Sequence, residues 1–331
     1  MIITRTPFRM SFCGGGSDLP AFYRQYGGCV LSTTINRYMY ITIHPYFLPE
    51  KTALRYSEIE IVDDIKNIRH SIFRQILNDK GLSGVEISST ADIPSGTGLG
   101  SSSSFTVGVL HTIYAYSSKF VSKDRLAQEA CEVEIEKLGN PIGKQDQYAV
   151  SFGGLNFIEF RRDDSVSVSP IIMREETKKA LESNLVAFYT GKTHDANDIL
   201  RDQQKKYSED EKINNMLAMC ELTRKMKATL ENNELGVFGK CLHEAWQLKR
   251  SISSKISLPE IDSLYDYALQ QGADGGKLLG AGGGGFLLFY CEAYKQPYFI
   301  RAMEKKGLTL FGFKFESDGT TVVHIGDKYW K

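Results

Sequence analysis

The chain has 331 residues, 42% hydrophobic and 24% charged, and its 40 lysines and arginines are balanced by 40 aspartates and glutamates. Such a balance gives no overall field to favour nucleic acid or an anionic membrane, and the length allows two domains with a large core. The six cysteines are scattered without a Cys-x-x-Cys pair, which argues against a zinc ribbon or disulfide framework and suits a reducing cytoplasm. No apolar run approaches the ~20 residues of a membrane span, and no signal-peptide pattern is apparent.

Residues 1–12, 30–35 and 38–44 are rich in β-branched and aromatic side chains and read as strands; 85–90 adds another. Ile65, Ile68, Ile72, Ile76 and Leu77 stand at helical spacing and predict one helix over 64–78, followed by helices over 101–116 and 123–138. Gly153-Gly154 precedes a strand at 155–160, and the polar stretch 161–165 marks a boundary between domains 1–165 and 166–331. Beyond it come a strand at 185–189, helices to about 250, a helix opened by Pro259 and ending before Gly272, and a strand at 286–290. Asp318-Gly319, between strand-like runs 313–317 and 320–325, predicts a hairpin. Strands interrupted by pairs of helices make this an α+β sandwich.

The most informative run is Pro94-Ser95-Gly96-Thr97-Gly98-Leu99-Gly100-Ser101-Ser102-Ser103-Ser104, just before an apolar helical pattern. Alternating glycines let backbone N–H groups turn toward one point, and the following helix adds unpaired N–H groups and the positive end of its dipole. The combination is an anion site, with phosphate the usual anion. Neither a P-loop nor the dinucleotide fingerprint fits, because the lysine of the first is missing and Ser101 stands at the last glycine of the second. The serines offer hydroxyls to Mg²⁺ or phosphate, or simply cap the helix.

This run resembles the second motif of the GHMP kinases (galactokinase, homoserine kinase, mevalonate kinase, phosphomevalonate kinase). Pro7-Phe8-Arg9-Met10-Ser11-Phe12-Cys13-Gly14-Gly15-Gly16-Ser17-Asp18 resembles their first motif and Lys277-Leu278-Leu279-Gly280-Ala281-Gly282-Gly283-Gly284-Gly285 their third. The resemblance implies a GHMP kinase fold, with an N-terminal domain like domain 2 of ribosomal protein S5, a ferredoxin-like C-terminal domain and a site in the cleft between them. It implies ATP as co-substrate, bound by residues 94–103 with Gly282 and Gly283 shaping the nucleotide site, and Mg²⁺ held by Ser102 and Glu134. Among the carboxylates of the 123–138 helix, Glu132 and Glu136 share a face and Glu134 points the other way, and family spacing selects Glu134.

The loop Gly139-Asn140-Pro141-Ile142-Gly143-Lys144-Gln145-Asp146-Gln147 ends on an aspartate that aligns with the catalytic aspartate of galactokinase-like and mevalonate kinase-like enzymes. Asp146 is accordingly expected to be the base, or at least the orienter, of the acceptor hydroxyl. Lys144 either tunes Asp146 and offsets charge or is an exposed loop lysine. Arg9 resembles the arginine near the transferred phosphoryl, with a surface ion pair as the alternative. In the first motif Gly15, Gly16 and Ser17 lead to Asp18, expected to grip sugar hydroxyls.

Where galactokinases have Gly-Glu-His-Thr-Asp, this chain has Gly14-Gly15-Gly16-Ser17-Asp18, which makes galactose a poor candidate. The Gly-Gly-Gly-Ser-Asp form and Gly143-Lys144-Gln145-Asp146-Gln147 resemble the D-glycero-D-manno-heptose 7-phosphate kinases, which act at the anomeric hydroxyl to give the 1,7-bisphosphate for nucleotide-heptose synthesis. The resemblance therefore implies a sugar 1-kinase, with fucose-like kinases sharing part of the pattern. Candidates for the sugar's distal phosphate are Arg37, Lys192, His194, Lys249 and Arg250. The expected partners are a sugar phosphate and ATP, not nucleic acid or membrane. A homodimer is compatible with the sequence, which carries no signal of oligomeric state. A non-catalytic sugar- and ATP-binding regulator on the same fold is the other class, disfavoured because Ser102, Glu134 and Asp146 are all present.

Overall fold

The computed structural model describes residues 1–192 and 196–326. The first part runs β1 (Ile2–Cys13), α1 (Pro20–Tyr26), β2 (Gly28–Pro45), β3 (Thr52–Arg55), β4 (Ile59–Val62), α2 (Ser71–Lys80), β5 (Val85–Ala91), α3 (Ser101–Tyr116), α4 (Lys123–Cys131), α5 (Gln145–Phe152), β6 (Leu155–Phe160) and β7 (Val166–Pro170). It continues as α6 (Glu175–Asn184), β8 (Leu185–Tyr189), α7 (Ala196–Lys206), α8 (Asp210–Glu231), α9 (Phe238–Ile252), α10 (Pro259–Gln270), β9 (Gly275–Leu278), β10 (Phe286–Tyr290), α11 (Gln296–Glu304), β11 (Thr309–Phe311), β12 (Phe315–Glu316) and β13 (Thr321–Ile325).

The long β1–β2 pair is the spine of a mixed sheet of order β13-β1-β2-β5-β3-β4. The outer edge of β2 is shared by β6, β12 and β5 along its length. The two strands expected at 30–35 and 38–44 are one: pairing jumps from Phe8–Ile35 to Pro7–Tyr38, so Asn36 and Arg37 bulge out without breaking the strand. Asn36 spends its N–H and its side-chain oxygen on the Lys314 backbone instead of on β1.

Helix α3 lies directly on this sheet. A methyl group at Gly108 would come within 3.0 Å of Ile41 and Thr6, and Thr112 meets the Thr4 hydroxyl at 2.5 Å. Buried on nearly every side, with α4 and α5 over its other face, α3 is apolar all round because it has no solvent face to keep polar. The second sheet is antiparallel, β11-β8-β10-β9. Numbered along the chain its strands are in the order 4-1-3-2, with helices between the first and second and between the third and fourth, which is the ferredoxin-like βαββαβ pattern.

Three expectations need correction. The helix over 64–78 is split into a short 3₁₀ turn, Ile65–Asn67, and α2, because the Arg69 and His70 N–H groups donate to the buried Glu60 carboxylate at 2.7 and 3.1 Å. The helix over 123–138 continues past α4 as a π-helical turn, Glu132–Lys137. The Asp318-Gly319 hairpin does not form: β12 pairs with β2, whereas β13 pairs with β1 on the opposite side. The intervening turn instead packs on the end of α5, where Thr320 donates to the Val150 carbonyl and a methyl group at Gly319 would lie 2.0 Å from Ser151 O.

Both sides of residue 165 contribute to the first sheet, since β7 extends it beside β6 and β12 and β13 return to it. Between the sheets, α8 and α9 pack on β1, and α9 also packs on β9. That brings the glycine turn after β1, the loop before α3 and the loop after β9 around one cleft of about 930 Å³.

Candidate active site

The Gly96–Gly100 stretch forms the rim of this cleft. Gly96, Gly98 and Gly100 have φ of +74°, +83° and +81°, a region closed to most side chains. Gly100 is the N-cap of α3 and no side chain caps that end, so the serines are not used as caps. Pro94, Ser95, Gly96, Gly98, Gly100, Ser101, Ser102 and Ser103 line the cleft; Thr97 and Leu99 are buried beneath the loop. The loop is tied to β1, because the Arg9 N–H donates to Leu99 O and the Arg9 guanidinium to Gly98 O at 2.6 Å.

The third glycine motif does what close backbone approach requires. A methyl group at Gly98 would lie 2.5 Å from Leu279 O, and one at Gly285 would lie 2.3 Å from Thr97 O. Gly280 and Ala281 reach the cleft, but Gly282 and Gly283 do not: they pack on Ile256, whose carbonyl accepts the Gly283 N–H. Gly98→Ala adds backbone strain of order 1–3 kcal/mol to this clash. It is expected to lower stability by at least that much in denaturant unfolding and to weaken nucleotide binding.

At the inner end of the loop Arg9 grips Asp146. Nε and Nη2 donate to the two carboxylate oxygens, each at 2.7 Å, in a bidentate fork. Arg9 is 4% exposed, so the alternative of a surface ion pair is discarded. Asp146 is in the first turn of α5 and keeps about a fifth of its side chain accessible from the cleft, with Oδ2 beside Gly100.

Asp18 is fully buried and accepts from Gly16 N–H at 2.8 Å, Gln145 N–H at 3.2 Å and the Gln145 side-chain amide at 3.1 Å. Burial pushes its carboxyl up, the Gly16 N–H offsets part of this, and the charge of Asp146 adds to the rise. Gly143 is required here, since a methyl group would fall 2.0 Å from Asp18 Oδ2. Gly16 lines the cleft and Gly15 lies over its polar floor, but Ser17 is structural, its hydroxyl exchanging hydrogen bonds with the Cys29 N–H and carbonyl.

Glu134 stands on the π-helical turn and is buried, while Glu136 stays exposed. Ser102 Oγ donates to Oε1 at 2.5 Å and the Gln147 amide to Oε2 at 2.8 Å. Burial pushes this carboxyl up and the Ser102 and Gln147 bonds oppose the rise. Sequence spacing thus selected the carboxylate that does face the phosphate loop.

Lys144 does not point into the site. Its ammonium bonds Asp164 and lies over the Tyr23 ring, so the catalytic role expected of it finds no support in the geometry. Of the candidates for a distal phosphate, Lys192 pairs with Glu260, Arg250 with Asp262, and Arg37 donates to Gly312 O, all away from the cleft. His194 lies outside the described residues. Among the described members of that set, Lys249 alone lines the cleft.

Sequence reasoning missed the recess at the outer end, where Met39, Tyr56, His70, Ile72, Ile93 and Phe105 meet. The rings of Tyr56 and Phe105 lie 4.8 and 5.0 Å from His70. These residues come from separate elements, and no local pattern distinguishes them from core.

A glycine-and-helix anion cradle, an arginine–carboxylate pair at its inner end, a buried polar floor and an apolar recess at the other end define a small-molecule phosphotransferase. The sequence matches the family models for the GHMP kinases N terminal domain over 66–154 and the GHMP kinases C terminal domain over 226–307. It is 32% identical to the D-glycero-alpha-D-manno-heptose 7-phosphate kinase of Campylobacter jejuni, over 96% of this chain and 97% of that one. It is 27% identical to the bifunctional fucokinase/GDP-fucose pyrophosphorylase of Arabidopsis thaliana over 86% of this chain and 29% of that protein. Among solved structures it superposes on a D-glycero-D-manno-heptose 1-phosphate kinase from Bacteriodes thetaiotaomicron with a TM-score of 0.80 at 26% identity, covering 99% and 100% of the two chains. The chain belongs to the GHMP kinases, and is a phosphotransferase of that family's sugar-kinase group with ATP as co-substrate. Among the described residues no helix is long and apolar enough to cross a membrane.

Proposed function

We propose that this kinase transfers the γ-phosphate of ATP to the anomeric hydroxyl of D-glycero-D-manno-heptose 7-phosphate, giving the 1,7-bisphosphate. The observation that carries the reaction class is the Arg9–Asp146 fork at the inner end of the phosphate cradle, beside Asp18. The full-length similarity to the Campylobacter jejuni heptose 7-phosphate kinase supports the acceptor.

The recess of Tyr56, His70, Ile72 and Phe105 takes the adenine, and the backbone of 94–103 takes the phosphates. Asp18 accepts from acceptor hydroxyls and fixes the sugar. Each Asp146 oxygen gives one lone pair to Arg9 and keeps another for the attacking hydroxyl, so Asp146 orients that hydroxyl and takes its proton. The oxygen–phosphorus bond forms as the bond to the β-phosphate oxygen breaks, and ADP leaves with that electron pair. Ser102 and Glu134 present adjacent hard oxygens, a donor set that suits Mg²⁺, which binds through one or two carboxylates plus substrate phosphates. Bound there it would neutralise phosphate charge. The functional lobes on this reading are 1–165 and 166–331, with the cleft between them, working in the cytoplasm.

A fucose-like sugar 1-kinase is the second reading. It is favoured by one observation: among the described residues, Arg9 and Lys249 are the sole arginine and lysine lining the cleft, and both lie toward its reacting end. Sugar-dependent ADP release tests the class, and it should require a divalent cation. Asp18→Asn should lower kcat/KM for the acceptor about 10- to 100-fold, the worth of one or two charge-assisted hydrogen bonds, with the Kd for ATP unchanged. Equal losses for both substrates would mark a folding defect instead.

A further inference from the structure

Lys249 projects from α9 into the cleft with 6% of its surface exposed. Its ammonium donates to Gly280 O at 2.6 Å, and no carboxylate among the described residues is within ion-pair distance. An ammonium has three donors, so two remain for a ligand. They face an opening beside Gly15, where a methyl group would lie 3.6 Å from Lys249 Nζ, 3.5 Å from Gln145 Nε2 and 3.6 Å from Ser11 Oγ. Ser11 Oγ and Gln145 Oε1 are themselves buried without partners. Buried polar atoms without partners are rare, and two of them beside an ammonium with donors to spare mark a place built for a ligand.

Position says which part of the ligand. Arg9 is anchored on Gly98 O and Lys249 on Gly280 O, and these two glycines touch: a methyl group at Gly280 would lie 2.5 Å from Gly98 Cα. The two cations therefore flank the contact between the phosphate loop and the third glycine loop, with Asp146 and Asp18 beside them. We infer that Lys249 is a catalytic residue, the second cation with Arg9 on the phosphoryl group in transfer. The inference rests on the kinase reading above and fills the role that Lys144 cannot reach.

As the acceptor oxygen–phosphorus bond forms and the bond to ADP breaks, negative charge spreads over the equatorial oxygens of the phosphoryl group, and donors already in place stabilise it most. An unpaired buried ammonium is such a donor. Its surroundings hold its pKa down to about 8: burial is the main cause, Asp18, Asp146 and Cys13 oppose it, and Arg9 adds to it. Lys277, on β9 with its side-chain nitrogen donating to the Ser11 and Phe12 carbonyls, is pushed toward the neutral form by burial and by the charge of Lys249.

The test compares wild type with Lys249→Met and Lys249→Arg in sugar-dependent ADP release, with ATP binding measured alongside. Lys249→Met should cut kcat about 10²–10³-fold, with acceptor KM changed less than about threefold. Lys249→Arg should recover at least tenfold of that loss. In wild type kcat/KM should fall as pH rises through about 8, where the free enzyme loses the ammonium proton, and Lys249→Arg should move that limb upward because a guanidinium stays charged. A rise in KM at unchanged kcat would overturn the inference and place Lys249 on the sugar or its distal phosphate. Near-normal kinetics in Lys249→Met would overturn it as well. Should Lys249→Met not bind ATP, the pH limb and Lys249→Arg decide alone: coincident pH profiles refute the role. A wild type inert on every sugar tested would refute the kinase reading itself.

Discussion

Asp146→Asn should lower kcat by roughly 10²–10⁴-fold while ATP binds almost as before. The substitution keeps the size of the side chain and one acceptor oxygen, so Arg9 retains part of its fork. What it loses is the basic oxygen, and it places an NH₂ group against an Arg9 donor that is 2.7 Å from a carboxylate oxygen in the native chain. The side-chain partner of Asp146 is Arg9, not the recess of Tyr56, His70, Ile72 and Phe105, which is why nucleotide affinity should survive. Single-turnover kinetics with saturating ATP separates the two outcomes. Turnover within about threefold of wild type would remove Asp146 from the proton-accepting role.

Arg9→Ala should be the more damaging change, because the Arg9 side chain joins Asp146 to the glycine loop. That side chain holds both Asp146 oxygens and Gly98 O, and these bonds are lost in the alanine variant, which keeps the backbone bond to Leu99 O. Removing the guanidinium leaves a carboxylate without its partner in a largely dry place, which costs toward the lower end of about 3–5 kcal/mol because Asp146 keeps some access to solvent. It also removes a positive group from the transferred phosphoryl, worth about 10³-fold or more in kcat. Arg9→Lys should rescue stability better than activity, since an ammonium cannot span both Asp146 oxygens and the Gly98 carbonyl together. Denaturant unfolding and steady-state kinetics on the same preparations check both parts. Full activity in Arg9→Lys would show that charge alone, without the fork, is sufficient.

The close approach of the two glycine loops was legible because it is written in the backbone. Gly98, Gly280 and Gly285 are glycines for a reason that can be read without coordinates: chains that approach this closely leave no room for Cβ. Asp146, Asp18 and Glu134 were picked out through the resemblance to the GHMP kinase motifs, Glu134 by its place five residues before Gly139. Sequence was silent where a side chain's direction depends on distant partners. Lys144 is two residues from Asp146, yet Asp164 and Tyr23 draw its ammonium to the other side. Lys249 is more than a hundred residues from Asp146 and more than two hundred from Asp18, yet α9 delivers it to the cleft they line.

Local signals also lost to tertiary ones in the fold. Asp318-Gly319 is a strong turn pair, but β1 and β2 offer separate open edges to the segments on either side of it, and pairing with both wins over pairing with each other. The apolar spacing over 64–78 is continuous, but Glu60 claims the two N–H groups that would have carried the helix through. The π-helical turn at Glu132–Lys137, which carries the buried Glu134, has no sequence mark.

The measurement that bears most directly on the central claim is phosphorus NMR of the product formed from ATP, Mg²⁺ and D-glycero-D-manno-heptose 7-phosphate by the intact chain. A second phosphorus signal coupled to the anomeric proton, growing as ADP accumulates while the 7-phosphate signal persists, is the predicted result. Phosphate at another carbon, or turnover confined to unphosphorylated sugars such as fucose, would contradict it.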